Sequence, residues 1–239
     1  MIGSWITMAD PTVSEITAKH DWDFLVVDMQ HSTMSDADME NHLRNIQAAE
    51  GILAYVRIQE NTSANIGRAL DAGADGLIVP NVNSVSDAWK AVEASVYGKG
   101  RGMGLWRSNT WGAHLRTHPP RLIVQIEDKD AAANIESIMA VTGVDGFLIG
   151  MYDLSASIGK PGDFEDELFR YYLQRIDEYA ATSDKLSGIH IPLPADYDKA
   201  ASFEAAGYFI VFGLDTSFLW QGMEHFLGRL HERRDNNSA

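Results

Sequence analysis

Eight short apolar runs recur along the chain with helix-like stretches between them, and this alternation constrains the fold more than any other feature. The runs are Ile2–Thr7, Phe24–Asp28, Leu53–Arg57, Gly76–Pro80, Leu122–Ile126, Gly146–Gly150, Leu186–Ile191 and Tyr208–Phe212. Short runs rich in β-branched residues read as parallel strands, which are covered on both faces and so are apolar nearly throughout. Between them the pattern predicts helices over Pro11–Lys19, Ser35–Ala49, Ala64–Ala72, Val85–Ser95, Ala131–Ala140, Glu165–Thr182 and Tyr197–Ala206. Asp10 before Pro11 is a helix-start signal, a capping carboxylate followed by a first-turn proline. Strands alternating with helices point to an α/β fold, a (β/α)8 barrel with right-handed crossovers. One domain is expected over residues 1–234, closing with an amphipathic helix over Ser217–Arg233, then a disordered polar tail, Asp235–Ala239.

Composition narrows the function classes. The 239 residues suit a single barrel, and 45% hydrophobic content is enough for a sizeable core. Acidic residues outnumber basic ones 34 to 19, a net charge of −15, which argues against a nucleic-acid binder. An anionic substrate would need local positive charge from an arginine, a metal ion or a helix N-terminus. The chain has no cysteine, so disulfides, thiolate nucleophiles and cysteine-based zinc sites are excluded. No apolar run reaches membrane-spanning length and no leader pattern opens the chain, so a cytoplasmic protein is expected.

In a parallel barrel the C-terminal ends of all strands open on one face, and polar residues of catalytic kinds sit at several run ends here. Asp28-Met29-Gln30-His31 follows the second run, Arg57 ends the third, Glu127 follows the fifth and Asp153 comes shortly after the sixth. His31 reads as a general base, with Asp28 three residues earlier fixing its tautomer. Arg57 reads as a clamp on a developing oxyanion, or as the salt-bridge partner of Asp28 or Asp71, and both can hold together. Glu127 and Asp153 read as ligands of a hard divalent ion; the alternative is that each opens the helix after it. Gly150-Met151-Tyr152-Asp153-Leu154-Ser155 is a strand–turn–helix junction whose free N–H groups can hold a carboxylate. His190 ends the seventh run on the same face and is weighed as a substrate contact, whereas His20, His42, His114, His118, His225 and His231 read as structural. Tyr97–Pro120 breaks the rhythm as a long insertion taken to lie on the catalytic side. Its Lys99, Arg101, Arg107, Trp106 and Trp111 suit a lid over an anionic substrate or an oligomer contact.

Together these segments resemble the HpcH/HpaI aldolase family, the metal-dependent class II pyruvate aldolases, which include 2-keto-3-deoxy sugar acid and 4-hydroxy-2-oxoheptanedioate aldolases. The resemblance runs from Ile2-Gly3-Ser4-Trp5 to about Leu219. Its specific parts are Asp28-Met29-Gln30-His31, Val56-Arg57, Leu70-Asp71-Ala72-Gly73, Val124-Gln125-Ile126-Glu127, Gly150–Ser157 and Gly213-Leu214-Asp215-Thr216, in the family's order and at its spacing.

The resemblance implies a role for each. His31 would be the acid/base with Asp28 its partner, and Arg57 would stabilise a pyruvate enolate. Asp71 matches an acidic residue of the site near a subunit boundary. Gln125 would contact pyruvate and Glu127 and Asp153 would hold the metal. Gly150, Met151, Tyr152 and Asp153 would bind the pyruvate carboxylate, and Leu214 stands among the substrate contacts. The expected cofactor is Mg²⁺ or Mn²⁺, with Co²⁺, Ni²⁺ or Zn²⁺ also acceptable to two carboxylates. The expected partners are a 2-keto acid and an aldehyde, with no nucleic acid or membrane. A homohexamer is expected, a dimer of trimers exchanging the last helix, Ser217–Arg233. The expected reaction is reversible cleavage of a 2-keto-4-hydroxy acid to pyruvate and an aldehyde. Rival readings are a β-keto acid decarboxylase of the oxaloacetate type using the same enolate, and a non-catalytic keto-acid-binding barrel. Three departures bear on substrate identity: Met29-Gln30 where many members have Gly-Glu, Met151 where proline is usual, and no Pro-Pro before Gly102-Met103-Gly104.

Overall fold

In the computed structural model, which describes residues 1–114, 120–193 and 196–236, eight parallel strands close into a barrel. The strands are β1 (Ile2–Ile6), β2 (Phe24–Asp28), β3 (Leu53–Arg57), β4 (Gly76–Val79), β5 (Arg121–Ile126), β6 (Gly146–Ile149), β7 (Leu186–Ile191) and β8 (Phe209–Leu214). Each pairs with the next in sequence, and β8 returns to β1 through Ile2 opposite Ile210. The helices are α1 (Pro11–Thr17), α2 (Asp36–Ala48), α3 (Ser63–Asp71), α4 (Val85–Ser95), α5 (Lys129–Ala133), α6 (Ile135–Met139), α7 (Met151–Ser157), α8 (Glu167–Thr182), α9 (Tyr197–Ala205) and α10 (Asp215–Asn236). No helix among the described residues is long and apolar enough to cross a membrane.

The start signals act as chemistry predicts. Asp10 accepts from the Thr12 N–H ahead of Pro11. Ser35 and Asp38 close a reciprocal capping box on α2. The expected helix over 131–140 is two helices broken at Asn134, whose side-chain amide donates to the Asp130 carbonyl at 2.9 Å. That local bond offers the backbone an alternative to continuing the helix. α10 follows β8 with no intervening loop and runs to Asn236, while residues 237–239 of the expected tail lie outside the described residues.

Strand residues alternate between two cores. One faces the helices. The other fills the barrel with Trp5, Phe24, Val26, Tyr55, Ile78, Ile123, Leu148, Phe209 and Val211. Glycine at two inward positions makes room for rings: a Cβ on Gly188 would sit 2.0 Å from the Phe209 ring, and one on Gly3 2.4 Å from Phe24. Polar side chains take over from these apolar layers at the C-terminal ends of the strands, and the site is built there.

Candidate active site

A cavity of about 570 Å³ opens at that end of the barrel. Its wall includes Asp28, His31, Arg57, Gln125, the stretch Gly150–Asp153, His190 and Leu214, contributed by six of the eight strands or the residues after them. Strands two, three, five, six, seven and eight thus bring together residues as much as 186 positions apart (28 to 214).

The parallel register sets Asp28 opposite Arg57 on the adjacent strand. Arg57 Nε donates to Asp28 Oδ1 at 2.7 Å and Nη2 to Oδ2 at 2.6 Å, a buried bidentate pair. The guanidinium carbon also lies 4.2 Å from the centroid of the Trp5 ring. The carboxylate engages one N–H each of Nε and Nη2 and the indole covers one face, which leaves Nη1 and the second N–H of Nη2 able to meet a ligand. Asp28 Oδ1 further accepts the main-chain N–H groups of Gln30 at 3.0 Å and His31 at 3.3 Å. Asp28 therefore fixes the turn that carries His31 through its backbone. The expected carboxylate–imidazole bond is not among the bonds of the described residues, because the carboxylate is already committed to Arg57. The His31 side chain is exposed at the cavity wall.

Glu127 is 7% exposed, and its Oε1 accepts the Asn81 N–H at 2.7 Å. Burial pushes its carboxyl up to about 7; the Asn81 bond opposes this and the charge of Asp153 adds to it. Two crowded carboxylates, one of them desolvated, make an environment that a divalent cation relieves, and an all-oxygen donor pair suits Mg²⁺ or Mn²⁺. No group of three or more His, Asp or Glu side chains that could hold a metal occurs among the described residues. The chain would thus supply two ligands, leaving the other positions to substrate and water. Gly150 lets Gln125 and Glu127 pack against the turn, since a Cβ there would lie 3.0 Å from both Gln125 Nε2 and Glu127 Cβ.

Asp71 is not at this cavity. It pairs with Arg101 on the outer wall formed by α2 and α3. The expectation that the long insertion lies on the catalytic side is corrected. It connects α4 to β5, and a helix-to-strand connection returns the chain to the N-terminal ends of the strands, opposite the cavity. There Arg107 donates to Gln47 Oε1 at 2.6 Å and to the Ala72 carbonyl at 3.0 Å. Arg101 lies over the Tyr97 ring, 4.2 Å from its centroid. No described residue of the insertion lines the cavity, and 115–119 of it, with His118, lie outside the described residues. Trp5, Thr7, Ser32, Thr33 and Thr216 also line the cavity and were not singled out from sequence. Thr7 and Thr216 carried a signal, since Thr7 ends apolar run one and Thr216 follows run eight. Asp215 accepts the N–H groups of Thr7 and Met8, each at 2.8 Å, tying the eighth strand end to the first.

The sequence profile of the HpcH/HpaI aldolase/citrate lyase family matches residues 1–220. The chain is 32% identical over 238 residues to a hydroxypyruvate/pyruvate aldolase of Pseudomonas aeruginosa, covering 95% of this chain and 87% of that one. It is 32% identical over 241 residues to a 4-hydroxy-2-oxovalerate aldolase of Novosphingobium aromaticivorans, covering 97% and 90%. Among solved structures, an HpcH/HpaI aldolase/citrate lyase family protein from Burkholderia cenocepacia J2315 superposes with a TM-score of 0.90 at 28% identity, covering 97% of this chain and 94% of that one.

Proposed function

We propose, from the premise that the chain belongs to the HpcH/HpaI aldolase/citrate lyase family and is a carbon–carbon lyase, that it is a metal-dependent class II aldolase cleaving a 2-keto-4-hydroxy acid to pyruvate and an aldehyde. The observation that carries this reading is one cavity lined by an exposed histidine, a buried arginine and an aspartate, with the buried Glu127 packed behind Gly150 of its wall.

His31 takes the proton of the C4 hydroxyl. The electron pair of that O–H bond becomes the aldehyde π bond, and the C3–C4 pair moves into a C2–C3 double bond. Charge then collects on the C2 oxygen as an enolate. Arg57 faces that oxygen with its unpaired Nη1, held rigid by Asp28 and Trp5, so little reorganisation is needed as charge develops. Proton return to C3, from His31 directly or through a water, completes pyruvate. Gln125 and the main chain of Gly150, Met151, Tyr152 and Asp153 orient the keto acid, and Leu214 contacts the substrate at the wall. Glu127 and Asp153 would hold the divalent ion, whose contribution is Lewis-acid stabilisation of negative charge on the keto acid. The working assembly is a homo-oligomer, a hexamer by family resemblance, in which Asp71 contributes near a subunit boundary.

Proton exchange of the pyruvate methyl group in D₂O tests this without knowledge of the aldehyde. Loss of the methyl proton signal with Mn²⁺ or Mg²⁺, abolished by excess chelator, is the expected result. No exchange under any divalent metal would overturn it.

A further inference from the structure

Among the described residues, neither β4 nor the turn after it, Pro80-Asn81-Val82, lines the cavity. This strand end meets the site through its main chain instead. The Asn81 N–H donates to Glu127 Oε1 at 2.7 Å, a contact between residues 46 positions apart. Asn81 itself is exposed and stands between buried Pro80 and buried Val82.

The backbone of that turn is constrained. Asn81 has a φ of +56°, in the left-handed region. Asparagine tolerates this region better than most residues, and β-branched side chains tolerate it least. Such a conformation persists where its surroundings over-determine it, and it clusters at sites that need a fixed geometry. With Pro80 and Val82 held by burial, the left-handed residue closes the turn and sets the peptide plane that carries the Asn81 N–H.

The bond divides the two oxygens of Glu127. Oε1 is taken by Asn81. No hydrogen bond from the described residues reaches Oε2, which lies on the side of Gly150, 3.6 Å from where a Cβ of that residue would stand. Gly150 is part of the cavity wall and precedes the helix that carries Asp153 in its first turn. One oxygen is thus anchored and the other left free on the side of the turn that bears the second carboxylate. A donor outside the ligand set that fixes a ligating carboxylate has a large effect on metal affinity.

We infer that Asn81 is a positioning residue for Glu127, acting through its left-handed backbone rather than its side chain. This rests on the metal-dependent reading and deepens it, since it assigns Oε2 as the oxygen that Glu127 offers to the cation.

Calorimetric titration of the full-length protein with Mn²⁺, after chelator treatment and dialysis, tests it on three variants. Asn81→Gly keeps the N–H and adopts a positive φ without steric cost, so its Mn²⁺ affinity is expected to match wild type. Asn81→Val disfavours that φ, and its affinity is expected to fall about tenfold or more. Asn81→Ala should lie between the two. Urea unfolding of each variant separates positioning from support of the fold. An Asn81→Val protein that loses stability but binds Mn²⁺ as wild type does overturns the inference. Equal losses of affinity in Asn81→Gly and Asn81→Val also overturn it, because they assign the effect to the side chain. If Asn81→Val does not fold, the comparison of Asn81→Ala with Asn81→Gly decides in its place. Wild-type protein that binds Mn²⁺, with an affinity unmoved in Asn81→Val and Asn81→Ala, loses only this inference; wild-type protein that binds none loses the metal-dependent reading with it.

Discussion

Arg57 is the residue on which stability and chemistry meet. Its partner Asp28 is 0% exposed, so each charge is tolerable only while the other is present. Asp28→Ala is expected to cost about 3 kcal/mol or more in urea unfolding, because it leaves a buried guanidinium uncompensated. The double substitution Asp28→Leu with Arg57→Met should recover much of that stability and none of the activity. An Asp28→Ala protein as stable as wild type would mean that Arg57 reaches solvent. The catalytic roles separate at the same scale. His31→Ala should lose most cleavage activity while still binding Mn²⁺, whereas Glu127→Ala should lose both, as read by Mn²⁺ titration. Full activity in either variant would remove the role given to that residue. The residue types at these positions were visible at run ends. Arg57 read from sequence as a salt-bridge partner of Asp28 or Asp71, and the β2–β3 register, which sets Asp28 alongside Arg57, decides between the two.

Elements are held in place by close packing and by buried polar contacts between helices. Gly188 on β7 has the Phe209 ring where a side chain would begin. Gly188→Ala should therefore overpack the barrel, with a loss on the order of 1–3 kcal/mol measured by thermal or urea unfolding. Stability equal to wild type would show that the ring moves freely. Between α1 and α2, His42 is buried with its Nδ1 2.8 Å from Ser14 Oγ. Burial lowers its pKa below the ordinary 6.5, against the opposing influence of Met8, Asp215, Asp38 and Ala9. The unfolded chain therefore binds this proton more readily than the folded one, and the stability is complete above about 6.5 and lost as pH falls below it. The urea midpoint should drop between pH 7.5 and 5.5, and His42→Gln should flatten that drop. An unchanged drop in the variant would assign the effect to other groups. From sequence His42 read only as structural. Its neighbour Ser14 is 28 positions away, so the contact exists only once the two helices pack.

For the whole molecule the C-terminal helix sets the expectation. Phe218 anchors its first turn against Trp22 and Phe212. Beyond that, Leu219, Met223, Phe226, Leu227 and Leu230 recur at helical spacing as an exposed stripe, with Phe226 at 74% exposure in the single chain. An apolar stripe of this extent marks an interface. Light scattering should give an assembly several times 26.4 kDa, and Phe226→Asp combined with Leu230→Asp should reduce it toward one chain. A monomeric wild-type protein at micromolar concentration would rule out the exchanged helix.

By itself the sequence determined the alternation of strands and helices, most of their bounds, the family, and the residue types at the strand ends. All of these are encoded locally, in periodicity, caps and short motifs. Tertiary structure alone decided that Arg57 pairs with Asp28 rather than Asp71, that the described part of the long insertion lies away from the cavity, and that Trp5 on β1 stands beside His190 on β7. Those outcomes depend on strand register, barrel closure and the direction of each connection. They join residues up to nearly two hundred positions apart, and no spacing along the chain records which of them will touch.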